Sequence, residues 1–489
     1  MKKMKIILSA YLSLSVFVLF SQPKQHNEKV LQVHNDIKKK ELTDSSSKKR
    51  PFLSQFILSG EIRPRMEYRH GYKMLANIDQ DAAAYVDQRS RLNFDFISKS
   101  FKTRIVLQDV RGWGTTAQLN NSDAFSSIHE AWGEVFLKKG WSIRLGRQEI
   151  MYDDHRIFGN VGWAQQARSH DAMIIKYQKD GFSVDVTGAY NQDGASLNGT
   201  NSTIASYKSL QNLWVHKNWN ENIESSFLFL NLGKQVTDPT SGDYWDNYTQ
   251  TIGTSNGLKK DKLSIFFNAY YQMGKTDQIQ ANDLSAYNVL LDVGYKLNKA
   301  FSTNLCYEVL SGNSQMDTST SYVEDQHAFN PVFGTNHKFN GFMDHFYVGN
   351  WNGNVGLQDI AWKVKYKKNK CYVGLDFHVF MSQAAVFDEY KYNAELAAVG
   401  GDASLVTKKE MNSYLGTEID FSFGFALSDG VMLKGGYSHM LGSQTLASLQ
   451  GITYTTGVDA GKGRADQISN WGYIMVVFKP TFFQTTIKK

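Results

Sequence analysis

The sequence predicts an all-β protein, an 18-stranded antiparallel transmembrane β-barrel with short periplasmic turns and long extracellular loops. Three observations predict it. Apolar and polar residues alternate with period two from about residue 56 onward. The connections between the alternating runs are short and long by turns. The chain also opens with an export signal. A mean hydropathy of −0.40 fits this fold, because only every second residue of a membrane strand meets lipid. Past residue 20 there is no apolar run of the ~18 residues that a spanning helix needs, which excludes a helical membrane protein. With 13% aromatics and only 6 prolines, the chain is neither disordered nor proline-rich. The aromatics have a place in the interfacial girdles of a barrel.

Residues 1–21 read as a signal peptide. Three lysines precede residue 6, the run Ile6 to Phe20 is apolar apart from small serines, and Ser21-Gln22 is a cleavage point. Residues 22–51 are polar and lysine-rich, a flexible tether without chemistry of its own. Residues 52–489 are the barrel. The net charge of +6 misleads, since residues 52–487 hold 40 basic and 43 acidic side chains. Bulk charge therefore does not mark a nucleic-acid binder.

The first strand shows the pattern. Phe56, Leu58, Gly60, Ile62, Pro64, Met66 and Tyr68 share one face, and Ser59, Glu61, Arg63, Arg65, Glu67 and Arg69 share the other. Residues 285–297 set Val289, Leu291, Val293, Tyr295 and Leu297 against Asn288, Asp292 and Lys296. Residues 413–425 set Leu415, Ile419, Phe421 and Phe423 against Glu418, Asp420 and Ser422. Short polar turns fall at 98–100, 138–140, 179–181, 220–222, around Asn256-Gly257, at 298–300, 367–369 and 428–430. Long connections fall at 70–84, 112–126, 150–170, 191–208, 233–245, 273–284, 311–355, 382–412 and 440–468. Eight turns and nine loops make eighteen strands, with both ends of the chain on the short-turn side. A soluble propeller or sandwich would alternate too, but it explains neither the export signal nor the asymmetry of the connections. A barrel of this strand number leaves an aqueous lumen.

Eleven of the thirteen arginines lie between Arg63 and Arg168. Arg63, Arg65 and Arg69 face the lumen from the first strand. Arg89 and Arg91 share a face of the second with Asp87, Asn93 and Asp95, and Arg104 shares a face of the third with Gln108. Consecutive antiparallel strands are neighbours, so these arginines form one lumen wall, as in pores that select anions. Glu61, Glu67, Asp95, Glu130 and Glu134 are at hand to brace it, and both uses are expected at once. On the fifth strand Arg147 follows Ile143 and Leu145 to the lipid side unless a bulge at Gly146 turns it inward.

Two segments carry a resemblance. One is Gly146-Arg147-Gln148 with Tyr152, Asp154, Arg156, Gly159, Trp163, Arg168 and Asp171-Ala172. The other is Phe333-Gly334-Thr335-Asn336-His337-Lys338-Phe339 with Gly341 and Met343-Asp344. Together they resemble the alginate-export family of outer-membrane porins over roughly 56–483. The resemblance implies an 18-stranded barrel with a narrow electropositive passage for an acidic polysaccharide. It places Arg147, Arg156 and Arg168 in or near that passage. It also implies cations from later strands. No arginine lies between Arg168 and Arg464, so Lys363, Lys365 and Lys434 are expected to stand in as point charges.

Other chemistry finds little support. Asp154-His155 and His170-Asp171 have no nucleophile motif beside them. Asp153-Asp154 offers too few oxygens for calcium. His337 and His345 read as loop-packing residues, and Cys306 and Cys371 are too isolated for zinc or a disulfide framework. The expectation is a non-enzymatic, cofactor-free, metal-free outer-membrane channel, with both termini periplasmic, for an anionic polysaccharide or oligosaccharide. Its expected partners are that saccharide, outer-membrane lipid and lipopolysaccharide, and a periplasmic secretion component. The alternatives are a general anion-preferring diffusion porin and a non-catalytic surface adhesion barrel. The loop 311–355 either enters the pore or caps the outer rim.

Overall fold

The computed structural model describes residues 54–119, 126–346 and 354–487. The signal peptide and the polar tether lie outside the described residues. Eighteen strands cross the barrel: β1 Ser54–His70, β2 Ala83–Ile97, β3 Phe101–Gly112, β4 Ser126–Phe136, β5 Trp141–Gln148 and β6 His170–Lys179. They continue as β7 Phe182–Tyr190, β8 Ser209–Asn218, β9 Ile223–Thr237, β10 Tyr244–Lys260, β11 Leu263–Lys275 and β12 Asp283–Lys296. The circuit ends with β13 Phe301–Leu310, β14 Leu357–Lys368, β15 Cys371–Met381, β16 Tyr414–Ser428, β17 Val431–Gly442 and β18, which runs in two parts, Ser469–Phe478 and Thr481–Ile487.

Each strand pairs antiparallel with the next, and β1 closes the barrel on both parts of β18, through Tyr68 opposite Gly472 and Phe56 opposite Thr485. Pro480 explains the break in β18. It has no N–H to give, so the ladder slips between Leu58 and Ser59, and the Gly60 N–H donates to the Pro480 carbonyl at 2.9 Å.

The strand count agrees with the turn arithmetic, and two local expectations change. Asn256 and Gly257 lie inside β10, paired with Phe267 and Phe266, and the turn comes later, at Asp261-Lys262. Leu415, expected on the lipid side, is buried inside the barrel. The β15–β16 register slips between Phe380 and Met381, and the extra residue reverses the parity of this strand end.

The alternation sorts the side chains as expected elsewhere. Ile62, Met66 and Tyr68 are exposed on the outer face of β1, whereas Glu61, Arg63, Arg65 and Glu67 are buried inside. One arc departs from a polar interior. Phe227-Leu228-Phe229-Leu230 in β9 is apolar on both faces, and Leu228, Leu230 and Leu232 bury inward with Leu210, Phe158 and Phe333. A strand apolar on both faces is covered on both. Here the inner cover is loop.

The outer face predicts a depth-dependent cost. Leu291→Arg, at mid-strand on β12, is expected to destabilise the barrel by about 2–4 kcal/mol, and Leu297→Arg, just past the strand end, by about 0–1 kcal/mol. Reversible urea unfolding in lipid vesicles measures both, and equal costs would contradict the assigned lipid depth.

Candidate functional site: a lumen filled from above

Two long loops fold into the barrel. The loop 149–169 crosses it from wall to wall, and the described part of the second, 311–346, lies against the first. Their strands touch at Phe158 and Phe333, the Gly159 N–H donates to the Phe333 carbonyl (2.9 Å), and the Thr335 N–H donates to the His155 carbonyl (2.9 Å). The described part of the second loop, 311–346, therefore enters the lumen and does not merely cap the rim. The second motif and the middle of the first, Tyr152 to Arg168, belong to this plug, whereas Gly146-Arg147-Gln148 and Asp171-Ala172 lie on β5 and β6.

The arginine wall holds the plug. Arg63 donates to the carbonyls of Gly162 (2.7 Å) and Trp163 (3.0 Å) and to Gln165 Oε1 (2.9 Å). Arg65 bonds Glu67 (2.8 Å), Asp87 (2.9 Å) and the Trp163 carbonyl (2.7 Å), and its guanidinium lies 4.3 Å from the Trp163 ring centre. Arg89 pairs with Glu61 (2.8 Å) and reaches the Gln165 carbonyl at 3.3 Å. Arg91 donates to Gln108 (2.7 Å) and stands 3.7 Å from Glu149. Arg104 pairs with Glu130 (2.7 Å) and Asp95 (2.8 Å). A planar fork of five donors suits this work, since it satisfies loop carbonyls and strand carboxylates together.

Arg156 does the same from the loop side. Fully buried, it pairs with Glu308 on β13, donates to Asn340 Oδ1 (3.2 Å), and lies 3.8 Å from the Phe339 ring centre. Arg168 donates to the Gly334 carbonyl at 3.3 Å. Arg147 does not join the lumen. Its β4–β5 register runs unshifted through Gly146, and it sits half-exposed on the outer side with Asp171 at 2.7 Å. Gly146 takes φ 120° without adding the residue that would reverse the parity. Lys363 faces inward 3.8 Å from Asp376, and Lys365 faces inward two residues on.

The sequence analysis missed the carboxylates that seat the second loop. Glu418 and Asp420 on β16 accept the Met343 N–H (2.8 Å) and the Phe342 N–H (3.3 Å). Gly341 fits at φ +82° because a Cβ there would stand 2.6 Å from the Glu418 carboxylate. Asn340 spans Glu308 (2.9 Å) and Asp359 (3.1 Å). The inward parity of Glu418 and Asp420 was legible; that loop amides would meet them was not. Among plug side chains, burial pushes the Asp153 carboxyl up to about 7, against a hydrogen bond from Trp214 that lowers it. Burial likewise lowers the Lys338 amine to about 8.

One cluster imitates a catalytic array. Ser169 Oγ lies 3.1 Å from His129 Nδ1, and His129 Nε2 lies 2.8 Å from Glu149. The serine proton, however, is directed to the His129 carbonyl at 2.6 Å. The ring is therefore not placed to take it, and the cluster braces the root of the loop. Among the described residues no group of three or more His, Cys, Asp or Glu could hold a metal.

In fold the chain is similar to solved outer-membrane channels. OccAB4 of Acinetobacter baumannii superposes with a TM-score of 0.53 at 10% identity, over 90% of this chain and 100% of that one. OccK9 (OpdG) of Pseudomonas aeruginosa gives 0.53 at 10%, over 88% and 98%. OpdK of the same organism, solved with vanillate, gives 0.50 at 9%, over 88% and 99%. At such identities the likeness establishes the barrel architecture. No family model matches the chain, and no curated protein matches it. The alginate-export resemblance of the two motifs thus has no family match behind it.

The cross-barrel tie predicts a measurable gate. Removing one partner of a buried ion pair costs about 3–5 kcal/mol. Arg156→Ala is therefore expected to loosen 149–169, raising its amide hydrogen exchange and the single-channel conductance, while the barrel stays heat-modifiable on a gel. Unchanged exchange and conductance would show that this pair does not hold the plug.

Proposed function

We propose that the protein is a passive outer-membrane channel that prefers small anions, acidic saccharides or comparable carboxylates, with both termini in the periplasm and lipid and lipopolysaccharide around its outer face. The observation that carries this reading is the charge layering in the short-turn half of the lumen, below the plug. In three ion pairs there the cation stands nearer the water than its acid, whereas Arg89, the second partner of Glu61, lies deeper than the carboxylate. Side-chain exposure is 22% for Arg144 against 9% for Glu134, 26% for Lys176 against 6% for Asp185, and 30% for Lys479 against 11% for Glu61. Lys102, Lys365 and Lys434 also face inward, with no ion pair among the described residues. An entering solute meets ammonium and guanidinium groups first, in a low-dielectric wall that strengthens their field.

The fold supports a channel, and OpdK, a channel of the same architecture, is solved with vanillate, a small carboxylate. Export of an alginate-like polymer, with a periplasmic secretion partner, is the second reading. It rests on the two motifs, and most of their residues lie in the loops that fill the lumen. That placement favours small solutes over a long chain.

Planar-bilayer recordings in a KCl gradient test the proposal. The reversal potential is expected to favour chloride at 0.1 M salt and to approach neutrality near 1 M, as the screening length falls from about 10 Å to about 3 Å. Lys102→Glu with Lys367→Glu is expected to move it toward potassium. Cation preference in the wild-type channel would overturn the charge argument, and no conductance at all would favour a non-conducting surface barrel. The orientation has its own test. In intact cells a bulky thiol reagent is expected to modify Ser404→Cys in the loop 382–413 and to spare Lys299→Cys in the turn after β12.

A further inference from the structure

The wall from β14 round to β18, which joins the arginine-bearing strand β1, holds a feature beyond the ion pairs of the lumen. Across β14 to β18 the register sets out two inward rows. One reads Lys367, Tyr372, Gly424, Lys434 and Met475. The next reads Lys365, Gly374, Ser422, Gly436 and Tyr473. Between Lys365 and Tyr473 the wall therefore carries only glycine, serine and glycine, a trough three strands wide.

The glycines serve the tyrosines. A Cβ on Gly424 would stand 2.1 Å from the Tyr372 ring, and one on Gly436 would stand 2.6 Å from the Tyr473 ring. Both rings thus pack against bare backbone, where a side chain on either glycine would displace them. Glycine inside a strand weakens it unless something needs the close approach, and here two aromatic platforms do. Trp163 of the plug stands edge-on to Tyr473, 4.8 Å between ring centres. The trough therefore begins under the plug and runs toward the short-turn rim. Lys365 lies 5.2 Å from the Tyr372 ring centre and is exposed to the lumen. Lys365 and Lys434 flank the trough, and neither has a carboxylate partner among the described residues. Ser422 and Asp376 supply hydroxyl and carboxylate groups at its margin.

We propose that Lys365, Lys434, Tyr372 and Tyr473 form a subsite for a single sugar acid, the pyranose ring lying on a tyrosine face and its carboxylate between the two ammonium groups. A flat apolar face suits the C–H face of a pyranose, and ammonium groups without acids suit a carboxylate. The polar margin decides between the two kinds of ring-shaped carboxylate. The Ser422 hydroxyl, on the inward row of the trough, offers a sugar hydroxyl a partner that an aromatic ring would not use. The subsite rests on the channel reading and goes beyond it by naming the ligand class and the residues that hold it.

The test uses the full-length protein in planar bilayers, with block of ion current by D-galacturonate, D-glucose and benzoate at equal concentration. Galacturonate is expected to block at concentrations at least tenfold below glucose and below benzoate. Lys365→Gln with Lys434→Gln should weaken galacturonate block about tenfold and leave glucose block unchanged. Tyr372→Ala should weaken both sugars and leave the open-channel conductance unchanged or slightly raised. Gly424→Val, which forces the ring off the wall, should reproduce the Tyr372→Ala pattern with the tyrosine still present. A conducting, anion-preferring channel that galacturonate does not block overturns the subsite and leaves the channel reading standing. Stronger block by benzoate overturns the sugar assignment. Absence of conductance overturns the channel reading itself.

Discussion

A strand in a bilayer has no partner for its backbone except another strand, because lipid offers neither donor nor acceptor. The structure follows from that constraint. β1 must hydrogen-bond β2 on one side and β18 on the other, and it does so even where Pro480 removes a donor and the ladder slips to accommodate it. Closure turns one face of every strand to lipid and the other to an enclosed interior. Charged side chains stand mainly on the inner one, and the outward Arg147 pairs with Asp171. Glu61, Arg63, Arg65, Glu67, Arg89 and Asp95 are buried there in a protein whose outer face carries Ile62, Met66, Tyr68 and Leu291.

Eighteen strands enclose more space than side chains alone can fill. In the long-loop half the chain fills it with its own loops, and the arginines are the means. A guanidinium that has lost water needs five acceptors, and the carbonyls of 162–165 together with Glu61, Glu67 and Asp87 provide them. The reverse arrangement seats the second loop, where the carboxylates of Glu418 and Asp420 take loop amides. Each wall thus binds backbone of the opposite polarity. The apolar arc of Leu210, Leu228 and Leu230 binds the aromatic part of the plug, Phe158 and Phe333.

The two halves of the lumen consequently differ in character. The plugged half is packed like a protein core, which in the proposed channel would limit the size of the solute. The half below it presents cations more exposed than their acids in three ion pairs, which in the proposed channel would favour anions. The glycine and tyrosine trough connects the two. Arginine thus bears more on the plug, and lysine takes the more exposed positions, either beside a deeper acid or, at Lys102, Lys365 and Lys434, with no ion pair among the described residues. This agrees with their chemistry. Guanidinium forks hold fixed planar partners, whereas flexible ammonium groups remain hydrated and serve as point charges.

Much of this was legible in the chain. Period-two alternation and polar turns determined the strand number, the faces of Arg63, Arg65, Arg89, Arg91 and Arg104, and the inward parity of Lys363, Lys365 and Lys434, because each depends on neighbours two residues away. Where one residue is added, as at Leu415, parity failed, since a bulge leaves almost no trace in composition, and Asn256-Gly257, turn-like in sequence, lies inside an unshifted strand. The run Phe227-Leu228-Phe229-Leu230 is apolar on both faces of β9, and what covers its inner face is a loop that only the fold brings there. The contacts that make the site were decided by tertiary structure alone. Arg156 meets Glu308 from 152 residues away, and Arg63 meets Gly162 from 99. Such pairs form because barrel closure brings distant loops into one confined space, where each buried charge takes whatever partner that space contains, and no local pattern in the sequence encodes that meeting.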